Sequence, residues 1–184
     1  MRRALVIVNP IAGRGAGQRR MPDIVAGLRQ RGLDADVVVT SRAGDARQAA
    51  AARADACDLV AVIGGDGTLN EAINGLEADR PLALFPLGTG NVLAKELRLP
   101  RRAAAFCDAV AKGRERRLDL ATVGGRTFVS MVGAGLDAQV ASELAARRGG
   151  AIRMADYVRP LVRCMARSRS SRIAVSVDGG EPME

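Results

Sequence analysis

The chain has 184 residues, 48% of them hydrophobic but only 2% aromatic, with a net charge of +8 and no histidine. That length suits one good domain, or a domain with part of another, around a core of Ala, Val, Leu and Ile. The missing histidine excludes Ser-His-Asp and Cys-His catalysis and His-based metal sites within this chain, so acid–base work falls to carboxylates, Lys or water.

Ala4–Val8 is a continuous apolar run, as expected of a strand buried on both faces. Asn9-Pro10 ends it too early for a secretory signal, although Arg2 and Arg3 precede it, and a cytoplasmic location is expected. A Gly-rich loop then leads into a helix from about Gln18 to Arg31, closed by Gly32. Asp36–Thr40 reads as a second strand and Asp45–Ala54 as an Ala-rich helix. Leu59–Ile63 is the third strand, turned by Gly64–Gly67 into a helix carrying Leu69, Ala72 and Ile73. Leu82–Phe85 is the fourth, and Leu87–Gly90 leads into a helix from about Asn91. Residues 1–120 therefore predict an α/β domain, a Rossmann-like parallel sheet with helices on both faces.

The character changes over residues 121–184. Leu118–Val123, Gly124-Gly125 and Thr127–Val132 read as a hairpin with a glycine turn. Helices are expected at Asp137–Arg148 and Ile152–Arg167, and a strand at Arg172–Val177 entering a turn at Asp178-Gly179-Gly180. With no following strand to pair with, this part reads as a linker hairpin, helices and the start of a truncated, β-rich second domain. The longest apolar runs are strand-sized, far short of the ~20 residues of a membrane span. Cys57, Cys107 and Cys164 are widely spaced without a CxxC pattern, and reduced thiols are expected.

The densest chemical signal is Val62-Ile63-Gly64-Gly65-Asp66-Gly67-Thr68-Leu69-Asn70-Glu71, a buried strand running into three glycines, one carboxylate and a helix start. Glycines let a backbone approach phosphates and present its amides, and a helix N-terminus adds partial positive charge where the anion sits. Thr68 offers a cap and a hydroxyl. The competing reading is an ordinary β–α turn with Asp66 as a cap. Asn9–Gly13 and Leu87–Asn91 also follow strands, which places them at the carboxyl edge where open α/β sheets bind ligands. Gly13, Gly15 and Gly17 miss the GxGxxG spacing, with Gln18 in the last position, and no GxxxxGK P-loop exists. Thr89 and Asn91 are small polar groups suited either to a nucleotide or to capping the next helix.

Gly64-Gly65-Asp66-Gly67-Thr68 resembles the signature of diacylglycerol, sphingosine and ceramide kinases, NAD kinases and, loosely, phosphofructokinases. Asn9-Pro10-Ile11-Ala12-Gly13 is similar to the first phosphate loop of the lipid kinases, with Ala12 where Ser is frequent. Pro86-Leu87-Gly88-Thr89-Gly90-Asn91 is similar to their third, with Val92 where an acid is common. Leu118-Asp119-Leu120 and Phe128 through Ala138 look like the passage into their second domain. The resemblance is to the bacterial type of diacylglycerol kinase catalytic domain. It implies an ATP-dependent kinase that phosphorylates a hydroxyl of diacylglycerol or a related lipid, with Mg2+ bridging the phosphates. The nucleotide-binding residues it implies are Asn9, Pro10, Ile11, Ala12, Gly13, Thr40, Gly65, Asp66, Gly67, Thr68, Leu69, Asn70, Glu71, Thr89 and Asn91. Asp66 is the candidate catalytic residue, either accepting the hydroxyl proton or organising the metal shell. The family's base and metal cluster also draw on acidic residues of the second domain, beyond Glu184, so a truncated chain is expected to bind ATP without efficient turnover.

Two other readings stand beside this one. An NAD kinase shares Gly64–Thr68 and a nearby Asn-Glu pair, whereas Asn9-Pro10 and Pro86–Asn91 favour the lipid kinases. The other is a nucleotide-binding regulatory module without catalysis. The positive charge calls for an anionic partner, and four aromatics make a poor stacking platform for nucleic acid. ATP phosphates and an anionic membrane surface fit better, with peripheral attachment at the inner membrane face as a corollary. In Ile152–Arg167, Met154, Tyr157, Val158, Leu161 and Met165 fall on one face with Arg153, Arg159, Arg163 and Arg167 largely opposite. That pattern suits an interfacial membrane helix or a domain helix with a solvated Arg face.

Overall fold

Sequence rich in aliphatic residues makes four strands, β1 (Arg2–Val8), β2 (Leu33–Val39), β3 (Leu59–Gly64) and β4 (Leu82–Pro86). In the computed structural model, which describes residues 2–77, 79–146, 154–167 and 173–183, they form one parallel sheet in the order β2-β1-β3-β4. Parallel strands need crossovers, and helices supply them on both faces. Ala4, Val6, Val8, Ala61 and Ile63 pack toward Ile24 and Leu28 of α1 (Ala12–Arg29) and Phe106, Cys107 and Val110 of α5 (Ala103–Lys112). Leu5, Ile7, Val60 and Val62 pack toward α2 (Asp45–Arg53), α3 (Asp66–Ile73) and α4 (Val92–Glu96). Every residue from Ala4 to Val8 is fully buried, which is why β1 carries no polar alternation. Phe85 and Phe106 meet edge to face at 5.4 Å, an aromatic pair worth about 1 kcal/mol beyond its burial.

Two elements differ from the sequence expectation in kind. The helix expected from about Asn91 is two helices, because α4 stops at a turn with Arg98 at φ 52° and Pro100 follows. After that break α5 buries Phe106, Cys107 and Val110 and closes on Gly113 at φ 62°. An ion pair of 2.8 Å between Arg31 and Asp108 ties it to the end of α1. The expected strand Arg172–Val177 is, among the described residues, a single antiparallel bridge. Val175 and Met183 exchange two backbone hydrogen bonds of 2.8 Å across a turn with Asp178 at φ 51° and Gly179 at φ 74°. A pairing partner therefore lies eight residues on, within the chain. Arg172 itself lies outside the described residues, as do the helix ends expected at Arg148 and Ile152.

The chain divides into two compact units, Met1–Ser130 and Met131–Glu184. The first contains the parallel sheet and a short hairpin, β5 (Ala121–Val123) and β6 (Arg126–Phe128). Gly124 at φ 55° and Gly125 at φ 73° make its two-residue turn, a geometry that side chains strongly resist. In the second unit α6 (Leu136–Ala146) packs on α7 (Val158–Arg167), with Arg163 on Glu143 at 3.0 Å. Pro160 sits in the first turn of α7, where its missing N–H has no helical partner to lose. No helix among the described residues is long and apolar enough to cross a membrane.

Candidate functional site

Strand order reverses between β1 and β3, since the chain lays β2 on one side of β1 and β3 on the other. Such a switch point opens a crevice at the carboxyl ends of the strands, where open α/β sheets hold ligands. The loops singled out in the sequence all lie at that edge. Val8 and Ile63 are in register, and the Asn9 N–H donates to the Ile63 carbonyl at 2.9 Å.

The loop after β3 is short because Gly64 leaves space that the Thr68 side chain fills: a Cβ there would stand 2.8 Å from that of Thr68. α3 then begins at Asp66, and Gly65 before it has no side chain to cap it. Its first-turn amides at Asp66, Gly67 and Thr68 have no partner within the helix. The loop after β4 passes directly over this point. A Cβ on Gly65 would lie 2.8 Å from the Gly88 Cα, and one on Gly88 would lie 2.7 Å from the Gly65 Cα. The two glycines are what permit the backbones to touch. The loop after β1 joins them, since a Cβ on Gly13 would stand 3.0 Å from the Leu87 carbonyl oxygen. Gly13, Arg14 and Gly15 follow one another at φ 58°, 58° and 79°, reversing the chain before the regular part of α1. For Arg14 this is a strained conformation.

Side chains of α3 stitch these loops together. Thr68 Oγ1 accepts from Asn9 Nδ2 at 3.0 Å, joining the first loop. Asp66 Oδ1 accepts from the Val92 N–H at 2.9 Å and so caps α4 from across the site. Glu71 Oε2 accepts from the Gly44 N–H at 2.9 Å, holding the turn before α2. Asn74, just beyond the helix, exchanges two hydrogen bonds with the backbone of Thr127 in β6. None of these four pairings was foreseen from the sequence.

The remaining sequence-nominated residues have distinct places. Asn9 Oδ1 also accepts from the Ile11 N–H at 3.3 Å, and its carbonyl from the Ala12 N–H at 3.2 Å, which folds Asn9–Ala12 into a tight turn. The Pro10 carbonyl accepts from Gln18 at 3.3 Å, and the Ile11 side chain stands out into solvent. Thr40 gives both its N–H, at 2.8 Å, and its hydroxyl, at 3.2 Å, to the Val8 carbonyl. That hydroxyl closes β2 on β1. Leu69 is buried in the core beneath the site. Asn70 is half-buried, with its carbonyl accepting from the Asn74 amide at 2.8 Å. Gly67 is exposed, with open space where a Cβ would be. Thr89 lies exposed at the tip of the third loop. Asn91 is buried at φ 48° and its amide closes a ring on Gly88, accepting from its N–H at 2.8 Å and donating to its carbonyl at 2.6 Å.

Beside the site, Asp45 accepts from the Ser41 N–H and hydroxyl and from the Arg42 N–H and guanidinium. The Ser41 amide is the largest cause holding its carboxyl down at about 2, well below the usual carboxylate range. Among the described residues no three His, Cys, Asp or Glu side chains gather as a metal cluster.

The arrangement is a cradle of glycine backbone around an uncapped helix N-terminus, with one carboxylate beside it. Its sequence matches the diacylglycerol kinase catalytic domain family over residues 3–123. The diacylglycerol kinase of Staphylococcus saprophyticus is 34% identical over 146 residues, 77% of this chain and 48% of that protein. That of Staphylococcus aureus strain JH9 is 32% identical over 146 residues, 77% of this chain and 46% of that protein. A diacylglycerol kinase crystal structure from Bacillus anthracis strain Sterne superposes with a TM-score of 0.66 at 34% identity, covering 77% of this chain and 50% of that one. The chain spans about half the length of the curated relatives it matches. With a profile match over most of its length and the sheet and loops to carry it, the chain belongs to the diacylglycerol kinase catalytic domain family.

Proposed function

We propose that this chain binds ATP across its three glycine-bearing loops and serves an ATP-dependent lipid kinase whose acceptor is a hydroxyl of diacylglycerol or a related lipid. The observation that carries the reading is the N-terminus of α3, where Gly65 offers no capping side chain and Gly88 lies against it. Helix amides left open at a sheet switch point suit a polyphosphate. In this reading residues 1–120 are the nucleotide-binding part and the following residues lead to the acceptor. The relatives named as diacylglycerol kinases support the acceptor class and give no support to an NAD kinase.

Phosphoryl transfer rests on positioning and charge neutralisation. The acceptor oxygen bonds to the γ-phosphorus as the bond to the ADP oxygen breaks, and the hydroxyl proton leaves to a base. The amides at Asp66, Gly67 and Thr68 would face the phosphates, while Asn91 keeps the Leu87–Gly90 backbone rigid above them. A divalent metal such as Mg2+ suits this donor set because it is commonly held by one or two carboxylates together with substrate phosphates, and Asp66 is the acidic side chain at the loop. Bound there, it would neutralise charge developing on the phosphate oxygens. Asp66 Oδ1 already holds the Val92 N–H, so its carboxylate is fixed in place before any ligand arrives. Peripheral contact with an anionic membrane face is the corresponding location.

The test is transfer of radiolabelled γ-phosphate from ATP to a panel of lipids, with NAD as control acceptor. Label in diacylglycerol or a related lipid, slow for this chain and faster for one of the relatives' full length, and none in NAD is expected. Label in NAD alone, or ATP binding absent by calorimetry, would sink the reading. ATP binding without efficient transfer is what a truncated chain predicts, and only its persistence in a chain of the relatives' full length would favour the regulatory module instead.

A further inference from the structure

Asn74 lies at the end of α3 opposite the phosphate cradle and was marked by no motif. Its amide makes three hydrogen bonds. Nδ2 donates to the Thr127 carbonyl at 2.7 Å and to the Asn70 carbonyl at 2.8 Å, and Oδ1 accepts from the Thr127 N–H at 3.0 Å. The pairing with Thr127 follows from the geometry of the hairpin. In a two-residue hairpin the pair flanking the turn, here Val123 and Arg126, is the hydrogen-bonded one, and the next pair is not. Thr127, opposite Thr122, therefore points its N–H and carbonyl away from β5. Asn74 presents a primary amide to both, as a neighbouring strand would present a peptide group.

A hairpin of three-residue strands has little stability alone. β5 and β6 are that short, and their residues are exposed or at most half-buried. An apolar contact and a polar one hold the pair to the sheet domain. Val129 packs against the apolar cluster that contains Leu69 and Ala72, which attaches the hairpin without fixing its register. Asn74 supplies the directional contact. Gly75 next to it lies against the carbonyl of Arg47 in α2 and leaves no space there for a side chain, so the end of α3 is itself locked.

We infer that Asn74 is a positioning residue, one that fixes the hairpin on the phosphate-loop helix and so sets where the chain leaves the nucleotide part toward the acceptor. The inference rests on the lipid-kinase reading for its catalytic consequence and on geometry alone for the clamp. α3 carries Asp66 at one end and Asn74 at the other, eight residues apart, or about 12 Å along a helix. That separation keeps Asn74 from the phosphates, so its loss leaves nucleotide affinity intact.

The test is amide hydrogen exchange at Thr127, with tryptic cleavage after Arg126 as an independent readout, on the full chain and on N74A and N74D. N74A is expected to raise Thr127 exchange at least tenfold and to speed cleavage, with the ATP dissociation constant within twofold. N74D keeps an acceptor for the Thr127 N–H but loses the donor, and an intermediate exchange rate is expected. In the lipid phosphorylation assay, run on a chain of the relatives' full length, N74A leaves KM for ATP unchanged and lowers kcat/KM for the lipid. V129A, which removes the apolar anchor, keeps the Thr127 N–H bonded and shifts exchange less than N74A. Unchanged Thr127 exchange in N74A overturns the clamp, and so does an ATP affinity that falls in step with loosening of the hairpin. A wild-type chain that binds no ATP overturns the functional reading instead, and the exchange data still decide the clamp.

Discussion

α3 and α7 are helices of eight and ten residues whose side chains are used in opposite ways. α3 buries Leu69 and Ala72 and extends polar groups to several segments distant in sequence, from Asn9 and Gly44 to Val92. α7 buries only Pro160 and Cys164 and turns Val158, Leu161, Val162 and Met165 outward, the last two about 60% exposed. Arg163, read from the sequence as part of a solvated basic face, is instead partly buried on Glu143. A strongly patterned helix is thus no guide to where the apolar face goes. α3 shows that the partners decide, because its one-sided core is matched by a sheet whose strands are already buried.

The largest effect expected is on stability and separates the two helices directly. Leu69→Ala removes a fully packed side chain and should cost about 2–5 kcal/mol in urea unfolding. Leu161→Ala, at 41% exposure, should cost less than about 1 kcal/mol. Equal costs would erase the contrast. Next comes the cradle at the head of α3. Gly65→Val drives a side chain into the Gly88 backbone and is expected to weaken ATP binding by at least about 100-fold, or ~2.8 kcal/mol, by calorimetry. Unchanged affinity in a folded variant would dissociate the glycine contact from the nucleotide.

A smaller effect tests the stitching. Glu71→Ala leaves the Gly44 N–H without its carboxylate and should cost about 1 kcal/mol, whereas Glu71→Gln keeps an oxygen and should cost less. If the two variants unfold at the same urea concentration, the bond contributes nothing. Smallest is an acid effect at Asp45. Its folded pKa of about 2 lies below the ordinary 3.8, so its bonds to Ser41 and Arg42 stabilise the fold above the unfolded value and are lost as pH falls toward 2. The stability difference between wild type and Asp45→Asn should therefore shrink between pH 4 and 2. A difference that stays constant over that range would show that the carboxylate is not held by those partners.

The sheet could be read from the sequence because strands covered on both faces are apolar at every position, as Ala4–Val8 and Leu59–Ile63 are. The glycine loops could be read because a close backbone approach demands glycine, at Gly65 and Gly88 alike. α5 was harder, since helix-forming sequence lies on both sides of Pro100 and only that residue and Gly113 mark its bounds. The use of the polar residues was hidden. Thr40 and Asn91 were nominated for a nucleotide, and the sequence did not show that the Thr40 hydroxyl donates to the Val8 carbonyl or that the Asn91 amide is bonded to Gly88. Periodicity reports which face is apolar, and a motif reports which residue types gather. Neither reports which distant amide a carboxylate will reach.

That distance has a temporal side. The bonds that gather the site join residues 59, 27 and 26 positions apart, at Asn9 with Thr68, Gly44 with Glu71 and Asp66 with Val92. Contacts of such span form late, after the loops between them have paid their closure entropy. On the ribosome the first loop is synthesised early and then waits for Thr68 to emerge, and Asp66 waits in turn for Val92. The cradle is consequently a product of completed folding, and a chain halted before β4 carries its signature glycines without the geometry that gives them meaning.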